Sequence, residues 1–454
     1  MEARDTPASV SQRLLWMIKH YRSDFGALNC PVVCRIVGDL DERALQAAVD
    51  HLVVRHEALR TTFHGRGARL VQRVHPPRSL PLTWADAPTG ESPEAALARE
   101  LQTPIDPEQW PARAGVWRVG PTEHLFCLNL HHLVTDAWST GILLRDLVAC
   151  YAAACGGPGV EAPTGWQSSR FAQAQQELLA SDRLARYQRY WRRQLEGSQI
   201  PRLDALYPAA DTADAAATDA AATGAPTQAA QAAQAAHASE AVRSVAAELP
   251  AATVAGLREL ARREKTTLFT VLLAAFHAQL YRLTGQPDLA VASMFANRSR
   301  PEVRDTVGLL AGMVLLRAQV ARQPSFADLV RHVHGAVISA FAYQDLPFHL
   351  LPTGLVDTGG GRADDVMFNV MSPMRHDLTG GGARFELVVP TEIGSRFPFE
   401  LALAPVGEHR VQAVLFRAGG WADPALGQDF LAGYLDVAAT AAHRPEAALP
   451  TPGQ

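Results

Sequence analysis

Leu125-Phe-Cys-Leu-Asn-Leu-His131-His132-Leu-Val-Thr-Asp136-Ala-Trp-Ser139 changes character part-way along its length. Leu125 to Leu130 is a strand-like apolar run, and Ile142, Leu143, Leu147, Val148 and Tyr151 beyond it fall at helical spacing. The stretch therefore predicts a strand, a turn carrying two histidines, and the start of a helix. Along the strand Phe126, Leu128, Leu130 and His132 share one face, while Asn129 and His131 share the other. The two histidines cannot serve one site as simple neighbours: one is a candidate base in a cavity, the other a residue held in the structure. With an ordinary pKa near ~6.5, histidine is the natural side chain for moving a proton at neutral pH. A plainer reading makes both histidines satisfied structural residues and Asp136 an N-cap for the helix. Metal binding is the weakest reading, because His131, His132 and Asp136 would have to converge from opposite faces, and no H-E-x-x-H spacing exists.

Both periodicities continue outward from this motif. Val32 to Val37 has strand composition, and Asp41 is an N-cap candidate for a helix with Leu45, Ala48, Val49, Leu52 and Val53 on one face. Beyond Ala238, Leu257 to Arg263 and Thr267 to Leu283 read as helices and Leu289 to Met294 as a strand. Both halves are α/β. Between them, Ala209 to Ala238 is more than half alanine and holds no large apolar side chain, so it reads as a surface insertion or linker. The glycine triplets Gly359–Gly361 and Gly380–Gly382 are not followed by helical patterns, and they read as flexible loops rather than phosphate cradles. No G-x-S-x-G elbow, phosphate loop or Rossmann fingerprint occurs. The reaction so outlined needs a positioned histidine, with no metal, no nucleotide and no covalent enzyme intermediate.

Composition narrows the partners. The 454 residues suggest two or three domains, and 42 Lys+Arg against 46 Asp+Glu gives a net charge of -4, which offers nucleic acid no attracting field. Five cysteines (Cys30, Cys34, Cys127, Cys150, Cys155), with no C-x-x-C pair, read as buried free thiols in a reducing compartment. The most apolar window, Leu268 to Leu283, is interrupted by His277, Gln279 and Arg282, and the N-terminus has no secretory pattern. The expectation is a cytoplasmic protein with neither a nucleic acid nor a membrane partner.

The histidine motif resembles the HHxxxDG signature of the condensation domains of nonribosomal peptide synthetases. Ser11-Gln-Arg-Leu-Leu-Trp16 looks like a slightly contracted form of that family's S-x-x-Q-x-R-[LM]-W element, and Arg55-His-Glu-Ala-Leu-Arg60-Thr-Thr-Phe63 matches R-H-E-x-L-R-T-x-F. Tyr190-Trp191, Thr267 to Phe276, Ala296-Asn-Arg298 and Tyr343-Gln-Asp-Leu-Pro-Phe348 follow in the family's order. The resemblance implies an α/β fold of two chloramphenicol-acetyltransferase-like subdomains, a V-shaped pseudodimer with a central tunnel. It places the first subdomain at 1–177, a connecting helix and Ala-rich linker at 178–245, and the second subdomain at 246–454. It also implies that His132 is catalytic, either as a base or by orienting the nucleophile, that Asp136 and Arg298 form a structural ion pair pinning the motif loop, and that His131 supports the motif with them. The donor would ride on the phosphopantetheine of an acyl or peptidyl carrier protein, a transient partner; the acceptor would be a small molecule or carrier-bound. No permanently bound cofactor is implied, and a monomer is expected.

Two positions depart from the pattern. Ala137 replaces the motif's glycine, so either its φ is ordinary or its methyl narrows the tunnel. Leu310-Ala-Gly312-Met stands where the family has F-V-N-T; the lost asparagine points to a different or larger nucleophile beside Trp138 and Gly312. The start at Met1, with no residues left over for an adenylation or carrier domain, favours a freestanding enzyme forming an amide or ester. Two other readings stand beside it: an ester-forming acyltransferase using a polyketide or acyl-CoA thioester, and a catalytically silent recruitment module. Silent members usually lose the second histidine or gain an extra acid in the motif, and neither change is present.

Overall fold

The motif strand forms at Glu123–Leu130, antiparallel to Val32–Val37 on one side and to Ala112–Gly120 on the other. The computed structural model describes residues 2–21, 28–65, 69–85, 91–162, 164–203, 243–352, 354–371, 377–388, 397–407, 409–417 and 424–453. The alanine-rich segment Ala209–Ala238 lies outside them. Both faces of the motif strand are covered, which explains its unbroken apolar run. Phe126, Leu128 and Leu130 pack in the main core with helices Glu42–Arg55 and Ala137–Ala154, while Leu125 and Cys127 lie in a smaller cluster with Ala96 and Leu97 of helix Pro93–Gln102. Asn129, on that second face, donates its Nδ2 to the Glu100 carbonyl and carboxylate, both at 3.0 Å.

The chain forms two compact units: Met1–Leu184 with Ala296–Gly312 and Met374–Ile393, and Ala185–Phe295 with Met313–Pro373 and Gly394–Gln454. The expected continuous second subdomain, 246–454, is therefore not continuous. Two of its pieces return to the first unit, one of them because strands Asp377–Gly380 and Ala383–Leu387 extend that unit's sheet beside Val32–Val37. These two strands form a hairpin whose corner is Gly381-Gly382, both left-handed (φ 58° and 82°), as a two-residue turn of this twist requires. The triplet Gly380–Gly382 is accordingly a packed corner rather than a flexible loop. A Cβ on Gly381 would lie 2.8 Å from both Cys155 Sγ and the Tyr151 ring, and one on Gly380 would lie 2.9 Å from Val148. The cysteine expectation also needs correcting at two positions: Cys34, Cys127 and Cys150 are buried, but Cys30 is only part-buried and Cys155 is exposed beyond the end of its helix.

The second unit is built on an eight-stranded mixed sheet containing Asp288–Phe295, Val366–Val370, Phe399–Val406, Arg410–Arg417 and Arg243–Leu249. Helix Leu268–Thr284 starts at the Thr267 N-cap and stops at Gly285, whose φ of 67° suits a left-handed C-cap. Helices Ala251–Arg263, Phe326–Ala342 and Pro424–His443 pack around it, so every residue from Thr270 to Leu280 is buried. Tyr190 stacks on Tyr343 at 3.9 Å, bringing together two elements that lie far apart in sequence.

His277, inside that buried stretch, has its pKa pushed down to about 3 by burial and then by His332, against the opposing pull of Asp288. A folded pKa below the unfolded 6.5 means that stability is complete above pH 6.5 and falls as the solution is acidified. The slope is about 1.4 kcal/mol per pH unit for one such group. Urea unfolding at pH 7, 6 and 5 should show this loss, and His277→Leu should remove about one proton's worth of slope. An unchanged slope in the variant would contradict the assignment.

Candidate functional site

The strand periodicity stops one residue before the histidines matter. His131 makes an isolated bridge to Asn29, and His132–Val134 turns into a single 3₁₀ turn, so the face alternation read for the histidines does not extend through them. His131 is buried and its Nδ1 accepts from the Leu133 N–H at 3.1 Å. His132 is only part-buried, with Nδ1 2.7 Å from the Thr135 carbonyl oxygen. A carbonyl can only accept, so the proton sits on Nδ1 and the neutral ring carries its lone pair on Nε2. The turn thus fixes the tautomer and the orientation of one imidazole.

Asp136 is the hub that holds this turn. Among the described residues its carboxylate accepts six hydrogen bonds. Oδ1 takes the Ser139 N–H at 3.0 Å, the Ser139 hydroxyl at 2.8 Å and Arg298 Nη2 at 3.0 Å. Oδ2 takes Arg298 Nη1 at 2.9 Å and the N–H groups of Leu310 and Ala311, each at 3.1 Å. The plain N-cap reading and the ion-pair reading are both true of one side chain. Burial alone would push this carboxyl's pKa up, but the Arg298 charge and the Arg298 and Ser139 hydrogen bonds outweigh it and hold it below the usual range. With every lone-pair direction taken, Asp136 has nothing left to offer a metal. Among the described residues no group of three or more His, Cys, Asp or Glu is placed to hold one.

The first helix reads differently in three dimensions. Ser9, before helix Val10–Tyr21, and Gln12 form a reciprocal cap: Ser9 N–H donates to Gln12 Oε1 at 2.7 Å, and Gln12 N–H to Ser9 Oγ at 3.2 Å. The S-x-x-Q element therefore begins at Ser9 and is not contracted; Leu14, rather than Arg13, stands in the arginine place. Ser11, read as the element's serine, instead donates its hydroxyl to the Ala311 carbonyl at 3.0 Å. The R-H-E element braces the motif helix from behind, since Arg55 Nε and His56 Nε2 lie 2.8 and 2.9 Å from Asp146 Oδ2.

A profile of the Condensation domain family matches residues 2–372. Chondramide synthase cmdD of Chondromyces crocatus is 33% identical over 352 residues, 75% of this chain. The chain belongs to the condensation domain family. It spans only 8% of that synthase's length. Its fold is shared with solved structures at low identity: SgcC5 from Streptomyces globisporus (TM-score 0.75, 23% identical, 97% of this chain and 100% of that one) is one. The X-domain in its complex with OxyB from teicoplanin biosynthesis (TM-score 0.76, 22% identical, 98% of this chain and 95% of that one) is another.

In this condensation domain the departures from the family pattern have physical answers. Ala137 is the first helical residue after the Asp136 cap and is absent from the described non-glycine residues with positive φ, so alanine is accommodated without strain. Trp138 is partly exposed and donates Nε1–H to the Arg304 carbonyl at 3.0 Å. Gly312 follows directly on Leu310 and Ala311, the two residues that Asp136 pins. It is itself buried, yet a Cβ built there meets no atom within 4 Å. That combination describes a backbone position facing unfilled space. Among the described residues no helix is long and apolar enough to cross a membrane.

Proposed function

We propose that this condensation domain transfers an acyl, peptidyl or polyketide chain from the phosphopantetheine thioester of a carrier protein to an amine or hydroxyl acceptor. His132 is the working side chain and carries the reading. Its Nδ1 is committed to the Thr135 carbonyl, so in the neutral ring Nε2 is the nitrogen able to accept from the acceptor's N–H or O–H. That one hydrogen bond orients the nucleophile and gives its proton somewhere to go. Attack on the thioester carbonyl forms the new C–N or C–O bond; collapse of the tetrahedral intermediate breaks the C–S bond, and the proton leaves with the phosphopantetheine thiol. Asp136 and Arg298 touch neither reactant in this scheme; they hold the turn.

The test is intact-protein mass spectrometry of a carrier protein loaded with acyl chains and offered amines and alcohols, with the same chains on coenzyme A in parallel. The expected result is loss of acyl mass from the carrier and appearance of one conjugate class. Turnover of the coenzyme A thioesters alone, with every carrier still loaded, would move the assignment to the acyl-CoA reading.

The space facing Gly312 supports a bulky acceptor. Gly312→Asn would fill it, and kcat/KM is expected to fall roughly tenfold or more for the largest accepted nucleophile while changing little for the smallest. Equal losses across an acceptor size series would remove Gly312 from the acceptor side.

A further inference from the structure

The Gln12 carboxamide does two things at once. Its oxygen accepts from Ser9 N–H at 2.7 Å, closing the cap of the first helix, and its Nε2 donates to the Leu133 carbonyl at 3.1 Å, 121 residues away in sequence. The side chain is buried, 3% exposed, so neither bond is shared with bulk water. Leu133 immediately follows His132 and is the middle residue of its 3₁₀ turn. The turn's own N–H groups close on other carbonyls, Val134 N on His131 O and Thr135 N on His132 O. Gln12 is thus the donor that fixes the Leu133 peptide, and through it the turn that carries both His132 and the Thr135 carbonyl holding its Nδ1. Ser11, next in the same helix, ties the Ala311 carbonyl beside Gly312. One end of the first helix therefore grips the turn and the Gly312 segment together.

We propose that Gln12 is a positioning residue for His132, setting its orientation and Nδ1-protonated tautomer by fixing the Leu133 peptide. The proposal rests on His132 being the side chain that acts. Ser9 caps the same helix end but does not reach the turn, which separates a positioning role from a merely stabilising one.

Gln12→Glu keeps an oxygen for Ser9 N–H and replaces the donor to Leu133 with a second oxygen that repels it. Ser9→Ala removes the Ser9 hydroxyl from the cap and leaves the Gln12 bond to Leu133 intact. The experiment records imidazole ¹⁵N spectra of wild type, Gln12→Glu and Ser9→Ala, with His132→Gln to assign the His132 signals, alongside kcat and KM for acyl transfer. Gln12→Glu is expected to shift the His132 nitrogens away from the Nδ1-protonated pattern and to lower kcat on the order of 10- to 100-fold with little change in KM. Ser9→Ala is expected to lower stability without moving the His132 signals. Should Gln12→Glu fail to fold, Gln12→Met, which lacks both polar atoms at similar length, gives the same readout. His132 signals in the Gln12 variant that superimpose on those of wild type would overturn the proposal. Absent acyl transfer in the wild type, with the spectral shift still present, would refute the functional reading but leave the positioning role standing.

Discussion

Replacing Asp136 with asparagine is expected to lower the free energy of unfolding by about 3 to 5 kcal/mol, the usual effect of breaking a buried ion pair. The geometry says why the isosteric change is not mild. The Arg298 side chain is 1% exposed and that of Asp136 3% exposed, so water cannot replace the lost partner. Asparagine can still offer one oxygen to Ser139, but its amide group would then face Arg298 Nη1 and the N–H groups of Leu310 and Ala311, donors against donors. Removing the guanidinium as well, in Asp136→Asn with Arg298→Gln, should be less destabilising than the sum of the two single changes. Urea denaturation of the four proteins measures this directly; a loss below about 1 kcal/mol in the single variant would contradict the hub role.

The pH dependence of that pair separates it from His277. The Asp136 carboxyl lies below its ordinary 3.8, so its contribution is complete above that value and is lost only as pH falls through the lower folded one. Softening between pH 6.5 and 5 therefore belongs to buried histidines, His277 and His349 foremost, and not to the Asp136–Arg298 pair.

His132→Ala is expected to reduce acyl transfer by roughly 10²- to 10⁴-fold, the range for loss of a positioned acid–base group. Folding should be little disturbed, because the ring is only part-buried and its Nδ1 bonds to a carbonyl in its own turn. His131→Ala should behave the other way round: His131 is buried and its Nδ1 closes the turn on Leu133 N–H, so stability should suffer along with activity. The contrast between adjacent histidines is the signature of one acting and one holding.

Much of this was legible in the residues. The strand before the histidines, the Asp41 and Asp136 caps and the helix read over Thr267 to Leu283 follow from local periodicity and capping chemistry, and they form, the last as Leu268–Thr284 with Thr267 as its cap. The Gly381-Gly382 corner was also readable in principle, since a Gly-Gly pair between strand-like residues is a hairpin signal; the absence of a following helix had suggested a loop instead. The reciprocal Ser9–Gln12 cap has a sequence signature as well, missed because Ser11 stands closer to the conspicuous Gln-Arg pair. Other features had no local trace. Arg298 lies 162 residues from Asp136, and the Leu310 and Ala311 donors are backbone groups that any residue would supply. The return of Ala296–Gly312 and Met374–Ile393 to the first unit likewise depends on pairings between distant segments, which periodicity within a segment cannot encode.

The most direct measurement is a single-turnover time course of acyl loss from a loaded carrier protein, followed by intact mass in the presence of an accepted nucleophile, for wild type and His132→Ala at matched folded fraction. The account predicts conjugate formation by the wild type and a rate at least about 100-fold lower in the variant. Equal rates, or a carrier that stays loaded with both while still binding the protein, would contradict a working His132.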